Sequence, residues 1–293
     1  MDHSQSGILA DVPMQARYLT FSIASESGLQ TALYKLADFA DGEQAVVGIG
    51  RPVTDSLGIT VPGLTGFPVI EGAQVEIPST QAALWCWLRS NDRGDLVHTG
   101  RKLIELLADA FTCDSIVDGF RYDIGRDLTG YEDGTENPTD DAAVKAALVS
   151  DAGVGLDGSS FVAVQQWVHD LDDFLTRPQE EQDDIIGRRK SDNEELADAP
   201  ETAHVKRTAQ EDFEPEAFVL RRSMPWADSS HEGLVFVAFG KNFDAFNALL
   251  KRMVGADDGI VDAMFSFTTP VNGSFYWCPP MRNGKLDLSA LEL

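Results

Sequence analysis

Read for periodicity, this chain carries one order of elements twice, and that order leaves few architectures open. Residues 17–24 alternate as a strand, 28–39 have the spacing of an amphipathic helix, and 45–50 form a second strand. After a stretch containing Gly and Pro, 82–89 (AALWCWLR) reads as a strand. Residues 94–111 follow as a helix with Leu103, Leu106 and Leu107 on its apolar side, and 114–122 as another strand. Beyond residue 150 the order returns. A half-buried strand at 160–168 precedes a helical run at 170–187 that is broken at Pro178. Strands at 218–222 and 234–239, a helix at 242–254 closed by Gly255, and a last strand at 263–268 complete the series. The two series share element order without obvious sequence identity.

A β-α-β-β-α-β series is the ferredoxin-like unit. The expected fold class is therefore α+β, with two ferredoxin-like halves at 1–150 and 151–293, each an antiparallel sheet with peripheral helices. With 293 residues, 43% of them apolar, the chain can bury one large core or two ordinary ones. A net charge of −25 excludes nucleic acid and anionic membrane as partners, since both need a basic face. No run approaches the roughly 18 apolar residues of a membrane span, and residues 1–16 lack the basic start and apolar stretch of a signal peptide. Cys86, Cys113 and Cys278 are odd in number and without C-x-x-C spacing, so neither a disulfide framework nor a zinc site is indicated. A reducing cytoplasm is the expected compartment.

Between the two series lies the segment GYEDGTENP at 130–138, which places Asp133 beside a glycine where neither helix nor strand can continue. Gly134 gives backbone freedom and Pro138 blocks sheet pairing, so Asp133 sits on a shaped loop that leads into the helix-like run 140–149. A plain Asp-Gly turn is the competing reading. A calcium loop starting at Asp127 fails, because Thr129 and Tyr131 occupy positions that need oxygen ligands. Farther on, the mixed-charge segment 178–200 reads as a solvated loop.

Two more features carry chemistry. Of the five histidines, only His204 follows a long excursion and precedes a buried-looking strand, although an isolated histidine is often structural. That strand ends in Arg221 and Arg222, which alternation sends to opposite faces, so one guanidinium can enter an apolar cavity. A buried guanidinium needs an anionic partner, and Asp133 is the candidate if the halves face each other across a pocket. An imidazole can ligate iron, a carboxylate can move the proton of bound peroxide, and an arginine can stabilise the charge that develops as the O–O bond breaks. Asp, Arg and His together thus suggest the division of labour of a haem peroxidase.

At these residues the chain resembles the dye-decolourising peroxidase family. DLTGYEDGTENP at 127–138 contains the family's G-x-x-D-G signature. VQQWVHDL at 164–171, IGRRKSD at 186–192, AHVKR at 203–207, LRRSMP at 220–225 and DAMFSFT at 262–268 follow in family order. The resemblance covers most of the chain and is nearest to the intracellular B-type subgroup. It implies a place in the dimeric α+β barrel-like superfamily, with haem b (iron protoporphyrin IX) held mainly by the second half. By resemblance, His204 is the axial iron ligand and Asp262 the carboxylate bonded to it. Asp133 and Arg221 are the distal catalytic pair, Asn137 hydrogen-bonds near the distal pocket, and Arg188 contacts a haem propionate. Ser223 stands where some relatives carry Asn beside the distal arginine.

The implied partners are hydrogen peroxide and a reducing organic donor, dye-like or phenolic, and a homo-oligomer is expected. Some relatives enter encapsulin shells through a C-terminal extension, but this sequence reaches Leu293 soon after Tyr276 and Trp277 with no obvious cargo tail. For a donor too large for the pocket, Trp167, Trp226, Trp277 and Tyr276 are candidates to carry oxidising equivalents outward, with simple packing as the competing reading. The alternative function is a haem-handling protein, releasing iron from haem or carrying it, with incidental peroxidase activity. A cofactor-free dimeric binding module is the third reading.

Overall fold

The computed structural model describes residues 3–293. The first series comprises β1 (Gln15–Ile23), α1 (Leu29–Phe39), β2 (Ala45–Ile49), α2 (Arg51–Leu57), β3 (Leu84–Ser90), α3 (Arg93–Leu107) and β4 (Phe111–Phe120). After the Asp133 loop, α4 (Asp140–Ala147) leads into β5 (Ser160–His169), α5 (Leu171–Thr176), α6 (Gln179–Ile186) and α7 (His204–Arg207). Strands β6 (Leu220–Arg221), β7 (Met224–Ala227) and β8 (Glu232–Gly240) precede α8 (Asp244–Met253), β9 (Thr268–Pro270) and β10 (Ser274–Cys278). A hairpin of β11 (Met281–Arg282) and β12 (Lys285–Leu286) follows.

The fold is a mixed α and β arrangement whose strand pairings are antiparallel. Strands of the first series lie in the order β4-β1-β3-β2, and those of the second in the order β10-β5-β8-β7. The two sheets join edge to edge, through Gly119 opposite Trp226 on one side and Ile49 opposite Trp277 on the other, which closes a ring of strands. Closure removes the exposed edges that an open sheet must otherwise protect. At the first seam a Cβ on Gly119 would stand 3.0 Å from the Tyr18 ring and 3.4 Å from Met224, so glycine lets the strands meet.

Both faces of the ring are covered, which explains why the run AALWCWLR lacks polar alternation. Trp85 and Trp87 point inward with Tyr18, Phe239 and Tyr276. Leu84, Cys86 and Leu88 point outward into a core shared with Leu33 of α1 and Leu103 of α3. Both indoles are fully buried, and burial of this kind is worth roughly 4–6 kcal/mol each as an upper estimate from area.

Two local expectations change. Residues 263–268 do not form the last strand: Asp262 caps a 3-10 turn at Ala263–Ser266 by accepting the Met264 N–H at 2.9 Å, and β10 is the final strand of the ring. The third helix of the chain also stops at Leu107, four residues short, and β4 starts at Phe111. The break at Pro178 separates α5 from α6 as the sequence indicates.

Candidate active site

The outer face of the second sheet is where the site forms. Gln165 and Trp167 of β5, Arg221 of β6, and Leu234 and Phe236 of β8 share that face, and Phe246, Leu249 and Leu250 of α8 lie across from them. Between them is a cavity of about 440 Å³, within the usual range of roughly 300–1,000 Å³ for small-molecule and cofactor sites. Asp133, Arg188, His204 and Arg221 all line it, so four sequence-derived candidates from separate segments converge on one space.

His204 opens α7, and Asp262 reaches it because the two segments are laced together: Ala263 N–H donates to the Thr202 carbonyl at 2.8 Å. Nδ1 of His204 lies 2.7 Å from Asp262 Oδ2, whose carboxylate is fully buried. An ionised carboxylate only accepts, so the imidazole proton sits on Nδ1 and Nε2 keeps its lone pair for a metal.

Asp133 is held by its own loop, with its N–H donating to the Gly125 carbonyl at 3.0 Å. Its Oδ1 lies 3.5 Å from Arg221 Nη1, and both side chains are only about a fifth exposed. Asn137 lies outside the large cavity. Its amide clamps the Arg221 backbone, accepting from the Arg221 N–H at 2.7 Å and donating to its carbonyl at 3.0 Å. Gly134 makes that clamp possible: at φ +73° its Cα approaches so closely that an added Cβ would stand 2.7 Å from the Asn137 amide nitrogen. Arg222 turns to the other face, as alternation requires, and donates to the Leu9 and Arg221 carbonyls.

Arg188 is 13% exposed and already partnered, by Glu136 at 2.5 Å and Glu195 at 3.7 Å. The segment 178–200 is therefore not simply solvated; part of it forms a wall of the cavity. Sequence reasoning also missed Gln165 as a wall residue, and the signal was a polar side chain two residues from Trp167 on one strand face. His169 and Asp127 belong to the wall too. The His169 ring meets Thr268 Oγ1 at 2.6 Å and Asp127 Oδ1 at 3.1 Å, so both nitrogens are engaged. For Asp127, burial opposes the charge, but bonds from His169 and Thr129 outweigh it and hold the carboxyl below its ordinary pKa.

These features fit a haem. Its flat apolar ring matches the aliphatic and aromatic walls, its iron the bare imidazole nitrogen, and its carboxylates the Arg188 side of the cavity. Among the described residues no cluster of His, Cys, Asp and Glu is arranged to hold a free metal ion, and no helix is long and apolar enough to cross a membrane.

Comparison with known proteins points the same way. A family model described as Dyp-type peroxidase, C-terminal, matches residues 125–283. A dye-decolorizing peroxidase of Rhodococcus erythropolis is 32% identical over 93% of this chain and 85% of its own length. One from Mycobacterium tuberculosis is 29% identical over 94% and 88%. Among solved structures, a dyp-type peroxidase protein from Shewanella oneidensis superposes with a TM-score of 0.89 at 29% identity, covering 99% of this chain and 98% of that one. A DypB variant from Rhodococcus jostii in complex with heme gives 0.86 at 27% identity, covering 93% and 94%. Relatives that agree along nearly the whole length, and a family model that takes in more than half of it, make this chain a member of the dye-decolourising peroxidase family.

Proposed function

We propose that this protein is a haem-dependent peroxidase that reduces hydrogen peroxide while oxidising organic donors of the phenolic or dye-like kind. The observation that carries the reading is that His204, with Nε2 left bare by its Asp262 contact, and the Asp133–Arg221 pair open on the same cavity. Haem, when bound, supplies the iron at which peroxide is cleaved and the oxidising equivalents are kept. His204 would hold that iron through Nε2, and Asp262, by accepting the Nδ1 proton, fixes the ring and raises its basicity. Asp133 takes a proton from one peroxide oxygen and returns it to the other. Arg221 stabilises the negative charge that grows on the departing oxygen. Asn137 acts at one remove as a positioning residue, and Arg188 would meet a haem carboxylate by sharing its contact with Glu136.

The same reading includes two ferredoxin-like halves that divide near residue 150, supported by the equivalent strand orders of the two sheets. It also includes a homo-oligomer, supported by exposed Met14, Tyr122 and Ile124 where β1 begins beside the end of β4. Three unpaired cysteines favour a cytoplasmic setting.

The test is an absorption spectrum of the purified protein before and after one equivalent of peroxide. A Soret band that changes within the stopped-flow dead time or shortly after it is expected, and His204→Ala should lose both band and response. Asp133→Ala and Arg221→Ala should keep the band, and at least one should lose the fast change. Retention of a normal response by both variants would overturn the distal assignment.

A further inference from the structure

A donor larger than the cavity must be oxidised from outside it, through a side chain that can hold one oxidising equivalent. A tyrosine does this only if its phenol releases a proton together with the electron, because the ring radical cation is a very strong acid. That requirement separates the five tyrosines of this chain. The hydroxyls of Tyr18 and Tyr276 are buried inside the ring without a protein partner, and Tyr34 and Tyr122 are about half exposed. Tyr131 alone lines the cavity, 4% exposed, with its hydroxyl donating to the carboxylate of Asp183 on α6.

The acceptor is held in place. Gln179 Nε2 donates to the Tyr131 oxygen at 3.0 Å and to Asp183 Oδ1 at 2.8 Å, and the Lys190 N–H donates to the same Oδ1 at 3.2 Å. Gln179 is exposed, so the phenol oxygen lies one side chain from solvent while the ring stands on the cavity wall. Burial, and then the bond to Asp183, push the Tyr131 pKa above its ordinary value, so the reduced phenol keeps its proton. The Lys190 ammonium lies 5.4 Å from the ring centroid. A cation there penalises positive charge on the ring and so ties loss of the electron to loss of the proton.

We propose that Tyr131 is a redox relay from the cavity to the surface around α6, with Asp183 as its proton acceptor; this rests on the haem peroxidase reading. In the outward step the Tyr131 O–H bond breaks, the electron reduces the peroxide-oxidised enzyme by one equivalent, and the proton moves to Asp183. A neutral phenoxyl remains. A phenolic donor at α6 then gives one electron to the phenoxyl and its own proton to solvent, and Asp183 returns the first proton to the Tyr131 oxygen. Trp167, Trp226, Trp277 and Tyr276 have no carboxylate placed in this way.

The experiment is freeze-quench electron paramagnetic resonance on holoenzyme mixed with one equivalent of peroxide, with and without ring-deuterated tyrosine. A tyrosyl signal that narrows on deuteration is expected, reduced about ten-fold or more in Tyr131→Phe and several-fold in Asp183→Asn. In Tyr131→Phe, turnover of a bulky anthraquinone dye should fall about ten-fold further than turnover of a small phenol that enters the cavity. An undiminished tyrosyl signal in Tyr131→Phe, or a tryptophanyl signal in its place in the wild type, overturns the proposal. If Tyr131→Phe fails to fold, an unchanged radical yield in Asp183→Asn does the same. A Soret band that ignores peroxide fails the haem peroxidase reading and this relay together; a responding band without a Tyr131 radical overturns the relay alone.

Discussion

Replacing Asp262 by asparagine isolates the tautomer on which the proximal side of the site depends. The carboxylate is fully buried and spends both oxygens, Oδ2 on His204 Nδ1 at 2.7 Å and Oδ1 on the Met264 N–H at 2.9 Å. Asparagine keeps the shape but exchanges one acceptor for an NH₂ donor. With that NH₂ turned to His204, the imidazole must accept at Nδ1 and carry its proton on Nε2, which removes the lone pair an iron needs. With it turned to Met264, two N–H groups face each other in a buried place, at a cost of roughly 1–3 kcal/mol. Either orientation charges the loss to haem binding. Outer-shell partners of metal-bound histidines typically govern 10–100-fold in affinity, about 1.4–2.8 kcal/mol, and the asparagine variant should fall in that range. The assay is titration of haem into apo-protein, followed at the Soret band, for wild type, Asp262→Asn and Asp262→Ala, with circular dichroism to monitor folding. Binding by Asp262→Asn within two-fold of wild type, with an unshifted band, would refute the reasoning and with it the assignment of Nε2 as ligand.

Three further outcomes follow from contacts around the same cavity. Asn137→Ala removes two hydrogen bonds to the Arg221 backbone, each worth about 1 kcal/mol. Melting should drop by about 5 °C and the peroxide response should slow, and an unchanged melting temperature would show that the clamp carries no load. Gly134→Ala, which drives a Cβ to 2.7 Å from the Asn137 amide at φ +73°, should cost about 1 kcal/mol or more and reproduce the slower response; a faster one contradicts the clamp. Asp127 has a folded pKa held below its unfolded value by His169 and Thr129, against burial. Its stabilisation is therefore present above about pH 4 and lost as pH falls through the folded pKa. Urea midpoints measured from pH 6 downward should fall less steeply in Asp127→Asn than in wild type, and parallel curves would exclude Asp127 as a source of the acid sensitivity.

How far the sequence discloses such a site depends on whether a residue sits on a periodic element. The repeated order of elements was readable because strand-like runs and helical spacing survive in most of the main elements, and Arg221 could be sent to one face and Arg222 to the other by alternation along the strand. At 263–268 periodicity misled: Met264, Phe265 and Phe267 look like a strand, but Asp262 engages its own backbone and turn chemistry prevails. Ring closure left no sequence signal, since each seam is a single bridge, at Gly119 and at Ile49. The segment 178–200 shows the other limit. Its composition reports average hydration, yet Asp183, Arg188 and Lys190 turn toward the cavity wall while Arg189 and Glu194 pair outside it. Loop residues have no period from which a direction can be read. Asp133, His204 and Asp262 therefore depended on family order for their roles, whereas the Tyr131–Asp183 contact joins a loop residue to one on α6, 52 positions apart, and becomes visible only in three dimensions.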